Sequence, residues 1–365
     1  MAYIANAFLG LTGQDISSFE LPWEGRAPAR EDVFLEGPAV DTEHIRFLKQ
    51  SRGRAPGDVE GVEVLDGKLV ITVIPSTNKA AWTLVVDGKK YTRTEFTVKT
   101  RTADDLFARC EEGRVLYRLY SPDSSEPRPM ILFLHGGGNG GYEGERDNEK
   151  QLMADYGPVN FAEEYPDVYV MAPMCVEQRR DLSKANLNTK FADSNFPSDW
   201  RYGWSRYYLA KVCDIIRRMI REGEVDAKRV YVTGMSMGGA GTIRAMSVGS
   251  DLFAAAVPVC PTMTPETFSI LKSIRRPVWV TSAYIDHTLY RHKYLVDAVM
   301  NMRDNGNRNA HLTLFSPEDL EKYDISITPN LPYPDLFRQN HWSWVPTYKD
   351  EYGIMSWLFN QTKDD

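Results

Sequence analysis

The chain is poor in cysteine and histidine and has no long apolar run. Its four cysteines (Cys110, Cys175, Cys213 and Cys260) form no C-x-x-C pair, which excludes a disulfide-built scaffold. Free, mostly buried thiols are expected, with a single disulfide left open. No stretch approaches the roughly 18 apolar residues that cross a bilayer, and runs such as Leu252 to Val259 are core-sized. Met1 to Gly13 is mildly apolar but lacks a basic region and is soon followed by Asp15, so no signal peptide is expected. The chain would then work inside the cell, or after a signal has been removed. Basic residues are outnumbered 43 to 50, for a net charge of −7. That sign argues against nucleic acid or an anionic membrane as a partner, because both need clustered Lys and Arg.

What is present is the balance of an ordinary globular protein, 42% apolar and 25% charged, over 365 residues. That length suggests about two domains. Up to residue 93, short β-branched and aromatic runs (Val62 to Leu65, Leu69 to Ile74, Trp82 to Val86) alternate with Pro, Gly and Asp. Asp87-Gly88 is the dipeptide favoured in a two-residue hairpin. Residues 1–93 therefore read as a small antiparallel β domain. From residue 94 to 365 strands alternate with helical stretches, the pattern of an α/β domain with a mostly parallel sheet. Expected strands are Phe96 to Thr100, Val115 to Tyr120, Met130 to Leu134, Val168 to Ala172, Val230 to Thr233, Ala255 to Val259, Val278 to Thr281 and Leu312 to Phe315. Leu209, Val212, Ile215, Ile216, Met219 and Ile220 recur at helical spacing and predict a crossover helix over Tyr207 to Arg221. Two long connections, Met174 to Arg206 and Ser316 to Asn340, are of the kind that carries function.

The sharpest motif is Gly234-Met235-Ser236-Met237-Gly238, a G-x-S-x-G that follows a strand and opens a helix through Gly239, Ala240 and Gly241. Small residues let strand and helix approach, and the turn holds a serine hydroxyl above the sheet at a helix N-terminus. Such a serine needs a histidine base, itself oriented by a carboxylate. Among the six histidines (His44, His135, His287, His292, His311 and His341), only His341 lies beyond the last expected strand. The chain order Ser, acid, His therefore selects it. Asp286, in the loop after Val278 to Thr281, is the expected acid, with Asp324, Asp335 and Glu266 as alternatives. Leu134-His135-Gly136-Gly137-Gly138 ends an apolar strand and supplies backbone N–H groups for an oxyanion hole. Gly137 and Met237 are the expected donors, and His135 is expected to bond within its own loop.

The same glycines, Gly136, Gly138 and Gly141, also spell G-x-G-x-x-G after a strand, which would suit a dinucleotide. The acidic run Tyr142 to Asp147 and the lack of an acidic residue after Val168 to Ala172 argue against that reading. No metal site and no cofactor are expected, since His287 and His292 have no further ligand at suitable spacing. Trp204, Trp342 and Trp344 are candidate substrate-binding aromatics, although packing explains many of the aromatics around them equally well.

Taken together, Leu134 to Gly138, Gly234 to Gly238, the H-x-x-W-x-x-x-Y run from His341 to Tyr348 and the closing Trp357 to Gln361 resemble the α/β-hydrolase esterases of the feruloyl esterase and polyhydroxybutyrate depolymerase type. The branch it is most similar to carries an immunoglobulin-like domain before the hydrolase domain. The resemblance implies a Ser236, Asp286, His341 triad and a serine carboxylic-ester hydrolase acting on short acyl or hydroxycinnamoyl esters, with plant cell-wall carbohydrate esters and other oligosaccharide esters as candidates. A peptidase related to the prolyl oligopeptidases would use the same triad, and a non-catalytic binding protein is a third alternative.

Overall fold

The computed structural model describes residues 14–36, 58–77, 83–92, 94–102, 105–113, 115–136, 157–175, 204–284, 286, 291–322, 341–350 and 352–363. The chain divides into two compact units, Met1–Asp105 and Leu106–Asp365.

The first unit contains β1 (Gln14–Pro22), β2 (Val33–Glu36), β3 (Val59–Leu65), β4 (Lys68–Thr77), β5 (Thr83–Val86), β6 (Lys89–Tyr91) and β7 (Thr97–Thr102). They form two antiparallel sheets, ordered β3-β4-β1-β7 and β2-β5-β6. Two of their turns are built alike. Asp66 and Gly67 join β3 to β4, Asp87 and Gly88 join β5 to β6, and all four residues have positive φ. A two-residue turn with both φ positive matches the twist of the strands it joins, which is why Asp-Gly recurs here. Phe19 and Leu21 from one sheet and Val33, Leu84 and Val86 from the other bury into one core. Phe19 meets Phe96 edge-on at 5.3 Å. The strand expected at Phe96 to Thr100 is β7, and it pairs antiparallel with β1 in this unit, Phe19 opposite Val98. The break between units therefore falls after β7, whereas the pattern change in the sequence suggests residue 93. A strand's own residues do not say which neighbour it will join.

The second unit begins with β8 (Ala108–Glu112), β9 (Val115–Tyr120), β10 (Arg128–Leu134), α1 (Pro158–Glu164), β11 (Tyr169–Pro173), α2 (Arg206–Arg221), β12 (Val225–Met235) and α3 (Met237–Val248). It continues with β13 (Ala255–Val259), α4 (Pro265–Leu271), β14 (Val278–Ala283), α5 (Arg291–Asp304), β15 (Ala310–Phe315), α6 (Pro317–Glu321), α7 (Trp344–Tyr348) and α8 (Ile354–Phe359). One eight-stranded sheet runs β15-β14-β13-β12-β10-β11-β9-β8. The strands from β10 to β15 pair in parallel, and β9 and β8 are added antiparallel at the β11 side.

Met130 to Leu134 is buried throughout, as a strand covered on both faces must be. The crossover helix α2 starts where the Ser205 hydroxyl accepts from the Tyr208 N–H, and Gly223 follows its end at φ 81°. Its buried stripe of Leu209, Val212, Cys213, Ile216 and Met219 lies in the same core as Met130, Leu132 and Val232. Each such side chain contributes about 1.5 to 3 kcal/mol on leaving water. Strand β8 carries no strand pattern in its sequence ARCEE, which is charged and lies at the sheet edge, where one partner suffices. The four cysteines are free thiols, three of them buried. Among the described residues no helix is long and apolar enough to cross a membrane.

Candidate active site

Ser236 sits between β12 and α3 with φ 57° and ψ −111°, a backbone conformation that an L residue adopts only under constraint. The constraint comes from its neighbours. A Cβ on Gly234 or Gly238 would overlap the Leu134 carbonyl oxygen, and one on Gly239 would overlap that of Val259. At Gly241 a Cβ would come within 2.8 Å of the Trp204 ring. The motif's glycines therefore serve close approach, and the serine between them carries the strain. Its N–H donates to Val259 O at 2.9 Å, and its carbonyl accepts from Thr262 N–H at 3.1 Å, which ties the turn to β13 and the loop after it.

Three side chains far apart in sequence meet at this turn. His341 Nε2 lies 2.9 Å from Ser236 Oγ, and His341 Nδ1 lies 2.8 Å from Asp286 Oδ2. With Nδ1–H donated to the carboxylate, Nε2 is left as the acceptor for the serine hydroxyl. Asp286 is fully buried, whereas the His341 side chain is 20% exposed. The acid is thus shielded from water while the histidine keeps a face toward it. Asp286 follows β14, its N–H bonded to Ala283 O at 3.2 Å. Of the alternative acids, Glu266 is engaged by Arg244 at 2.9 Å, and Asp324 and Asp335 lie outside the described residues.

Met237 opens α3, so its N–H belongs to the first-turn set that has no partner within the helix. Gly137 lies outside the described residues, as do Gly138 and Gly141 of the competing dinucleotide reading. Gly136, one residue earlier, is packed against Met235 and Ser236. His135 is fully buried, and its ring nitrogens contact Gly136 O at 2.8 Å and the Cys175 N–H at 2.9 Å. Burial lowers its pKa to about 4, so the ring is neutral, donating from Nδ1 and accepting at Nε2.

The aromatic expectations divide. Trp204 is a core residue and not a substrate contact: it is 1% exposed, its ring stacks edge-on with His135 at 4.9 Å, and its indole N–H donates to His135 O at 3.0 Å. The helical approach through Gly241 requires that filling. Trp344 is also buried, with its ring edge-on to that of His341 at 5.8 Å. Only Trp342 is half-buried. An aromatic that sequence reading missed is Tyr284, which is 58% exposed and stands two residues before Asp286. Its position at the end of β14 is the signal that could have marked it.

The sequence signature of the prolyl oligopeptidase family matches residues 189–319, a span that includes Ser236 and Asp286 and stops short of His341. No curated protein sequence matches the chain. Among solved structures, a thermostable esterase is similar at 21% identity over 96% of each chain, with a TM-score of 0.58. An acylaminoacyl peptidase in complex with Z-Gly-Gly-Phe-chloromethyl ketone is similar at 14% identity, over 84% of this chain and 50% of that one, with a TM-score of 0.43. Thermogutta terrifontis esterase 2 phosphorylated by paraoxon is similar at 17% identity, over 70% of this chain and 95% of that one, with a TM-score of 0.41. The second unit has the α/β-hydrolase fold.

Proposed function

We propose that this chain is a serine hydrolase whose catalytic residues are Ser236, His341 and Asp286, and within that class an esterase for short acyl or hydroxycinnamoyl esters of water-soluble alcohols or sugars. The observation that carries the reading is the continuous line from Ser236 Oγ through the imidazole to Asp286, at 2.9 and 2.8 Å.

His341 takes the serine proton as Oγ attacks the ester carbonyl, and Asp286 holds the ring in the required tautomer and offsets the charge that develops on it. The oxyanion formed is held by the Met237 N–H at the start of α3 and by a second backbone N–H, for which the sequence offers Gly137. His341 then protonates the departing alcohol, leaving an acyl group on Ser236. Water, activated by the same imidazole, releases the acid. His341 carries each proton, from Ser236 to the leaving alcohol and then from water back to Ser236. Trp342 beside the base and Tyr284 beside the acid offer flat, amphipathic surface suited to an aromatic acyl group or a sugar. The immunoglobulin-like description of the first unit belongs to the same reading, supported by two antiparallel sheets that share one core.

A second reading, a peptidase, is favoured by the match to the prolyl oligopeptidase signature. One experiment separates the two. A fluorophosphonate probe should label Ser236, as identified by mapping the modified peptide. Values of kcat/KM for acetyl, feruloyl and palmitoyl esters and for a peptide anilide are then compared under one condition. Preference for feruloyl or acetyl esters is expected; preference for the anilide would establish the peptidase, and preference for palmitoyl would remove the water-soluble ester class.

A further inference from the structure

The run from His341 to Tyr348 holds more than the base. Two residues of α7 reach back to the two strands that present the other members of the triad. The Thr347 hydroxyl lies 2.7 Å from the Ser343 carbonyl and 2.9 Å from the Thr281 hydroxyl on β14, the strand that leads into Asp286. A hydroxyl has one proton to give, and Thr347 gives it to Ser343 O, so Thr281 donates to Thr347. The Tyr348 hydroxyl lies 3.1 Å from Thr233 Oγ1 on β12, the strand that leads into Ser236. Thr233 already donates to Val257 O at 2.7 Å, so Tyr348 is the donor there. All four hydroxyl residues are buried. At the other end of the run, the Trp344 ring lies edge-on to that of His341.

Resting on the reading of Ser236, Asp286 and His341 as catalytic, we propose that α7 is a positioning clamp for the base. Thr347 keys it to the acid's strand and Tyr348 to the nucleophile's strand, so that the imidazole is registered against both at once. The histidine arrives on a loop, and a loop alone does not hold a ring within the few tenths of an ångström that proton transfer between two fixed partners demands. Two buried hydroxyl contacts to two different strands, with an aromatic ring against the imidazole, supply that reference. Neither Thr347 nor Tyr348 touches Ser236, Asp286 or His341 through the bonds described, so both act through the turn they anchor.

The test uses the full chain. Active sites are counted by stoichiometric labelling with a fluorophosphonate, so that kcat refers to folded, competent protein, and Tm is measured alongside. Thr347→Val removes the hydroxyl at nearly constant volume, Thr347→Ser restores it, and Tyr348→Phe keeps the ring packing while deleting the oxygen. Thr347→Val and Tyr348→Phe are each expected to lower kcat for an acetyl ester five- to thirtyfold with KM within twofold. Thr347→Ser should retain at least half of the wild-type kcat. Because Thr281 and Thr347 share one bond, Thr281→Val combined with Thr347→Val should cost no more in kcat than Thr347→Val alone. Wild-type kcat per labelled site in Thr347→Val and Tyr348→Phe, whatever happens to Tm, would overturn the clamp and leave the catalytic reading standing. Equal damage in Thr347→Ser and Thr347→Val would overturn it too, by assigning the effect to packing. If Tyr348→Phe does not fold, the Thr347 series decides alone. Failure of the wild-type protein to label at Ser236 would instead overturn the catalytic reading, and the clamp with it.

Discussion

The hairpin turns of the first unit and the elbow of the second use glycine in opposite ways. In the first unit Gly67 and Gly88 have φ of 71° and 74°, and a Cβ built on either meets nothing within 4 Å. They are there because the backbone must turn into a region that other residues avoid, and the space around them is open. In the second unit Gly234, Gly238, Gly239 and Gly241 have no such φ, yet a Cβ on any of them would run into backbone or into the Trp204 ring. The left-handed conformation falls on Ser236 instead. Each hairpin turn places glycine at one of its two positive-φ positions, beside an aspartate at the other. The elbow crowds glycines around a strained residue whose side chain has to stay.

This contrast can be broken or sharpened by substitution. The largest effect is expected from Ser236→Gly, which should lose turnover at least about a thousandfold, since only binding and the oxyanion donors would remain. The same change should raise stability by about 1 kcal/mol in urea unfolding, because glycine accepts the φ that serine endures. A variant that loses activity without gaining stability would show that the elbow is not strained. Next comes Gly238→Ala, whose methyl group would overlap the Leu134 carbonyl and lie 2.6 Å from that of His135. It should cost at least about 3 kcal/mol or prevent folding, the scale of a severe core defect; a stable Gly238→Ala protein would remove the crowding argument.

His135, buried against Trp204, gives a pH-dependent version of the test. Its pKa is lowered to about 4 by burial, against the usual value near 6.5. Between those two pH values the unfolded chain binds a proton that the folded one refuses, so stability rises with pH there and is lost as pH falls through the window. The loss amounts to roughly 3 kcal/mol over the whole interval. His135→Gln cannot titrate and should show a shallower fall in its urea midpoint between pH 6.5 and 4; identical slopes would mean that the ring is not the group responsible. The smallest effect belongs to the first unit. Gly88→Ala should cost only about 1 kcal/mol, the price of a left-handed alanine in open space. A cost as large as that of Gly238→Ala would erase the difference between the hairpin turns and the elbow.

Much of this could be read from the chain because the signals were local. The alternation of strand and helix, the elbow around Ser236 and the Asp87-Gly88 turn each depend on residues a few positions apart, and each takes the expected form. The order of Ser236, Asp286 and His341 along the chain picked out three residues that the structure brings into contact. It did so because in this fold the ends of successive parallel strands face the same edge of the sheet. Assignments that depended on surroundings fared differently. Trp204 has the composition of a binding residue and the position of a core residue, since the ring fills the space that Gly241 leaves open and bonds to His135 O. Strand β7 has the pattern of the second unit and the partner of the first.

The sequence by itself therefore determined the hydrolase fold, the elbow and the candidates for nucleophile, acid and base, because period, turn chemistry and chain order are written in neighbouring residues. Only the tertiary structure decided which tryptophan is buried, where one unit ends, and that Thr347 and Tyr348 bond to the two strands leading into Asp286 and Ser236. Those outcomes turn on partners 66 and 115 residues away, and a hydroxyl's sequence neighbours carry no record of the one it will meet.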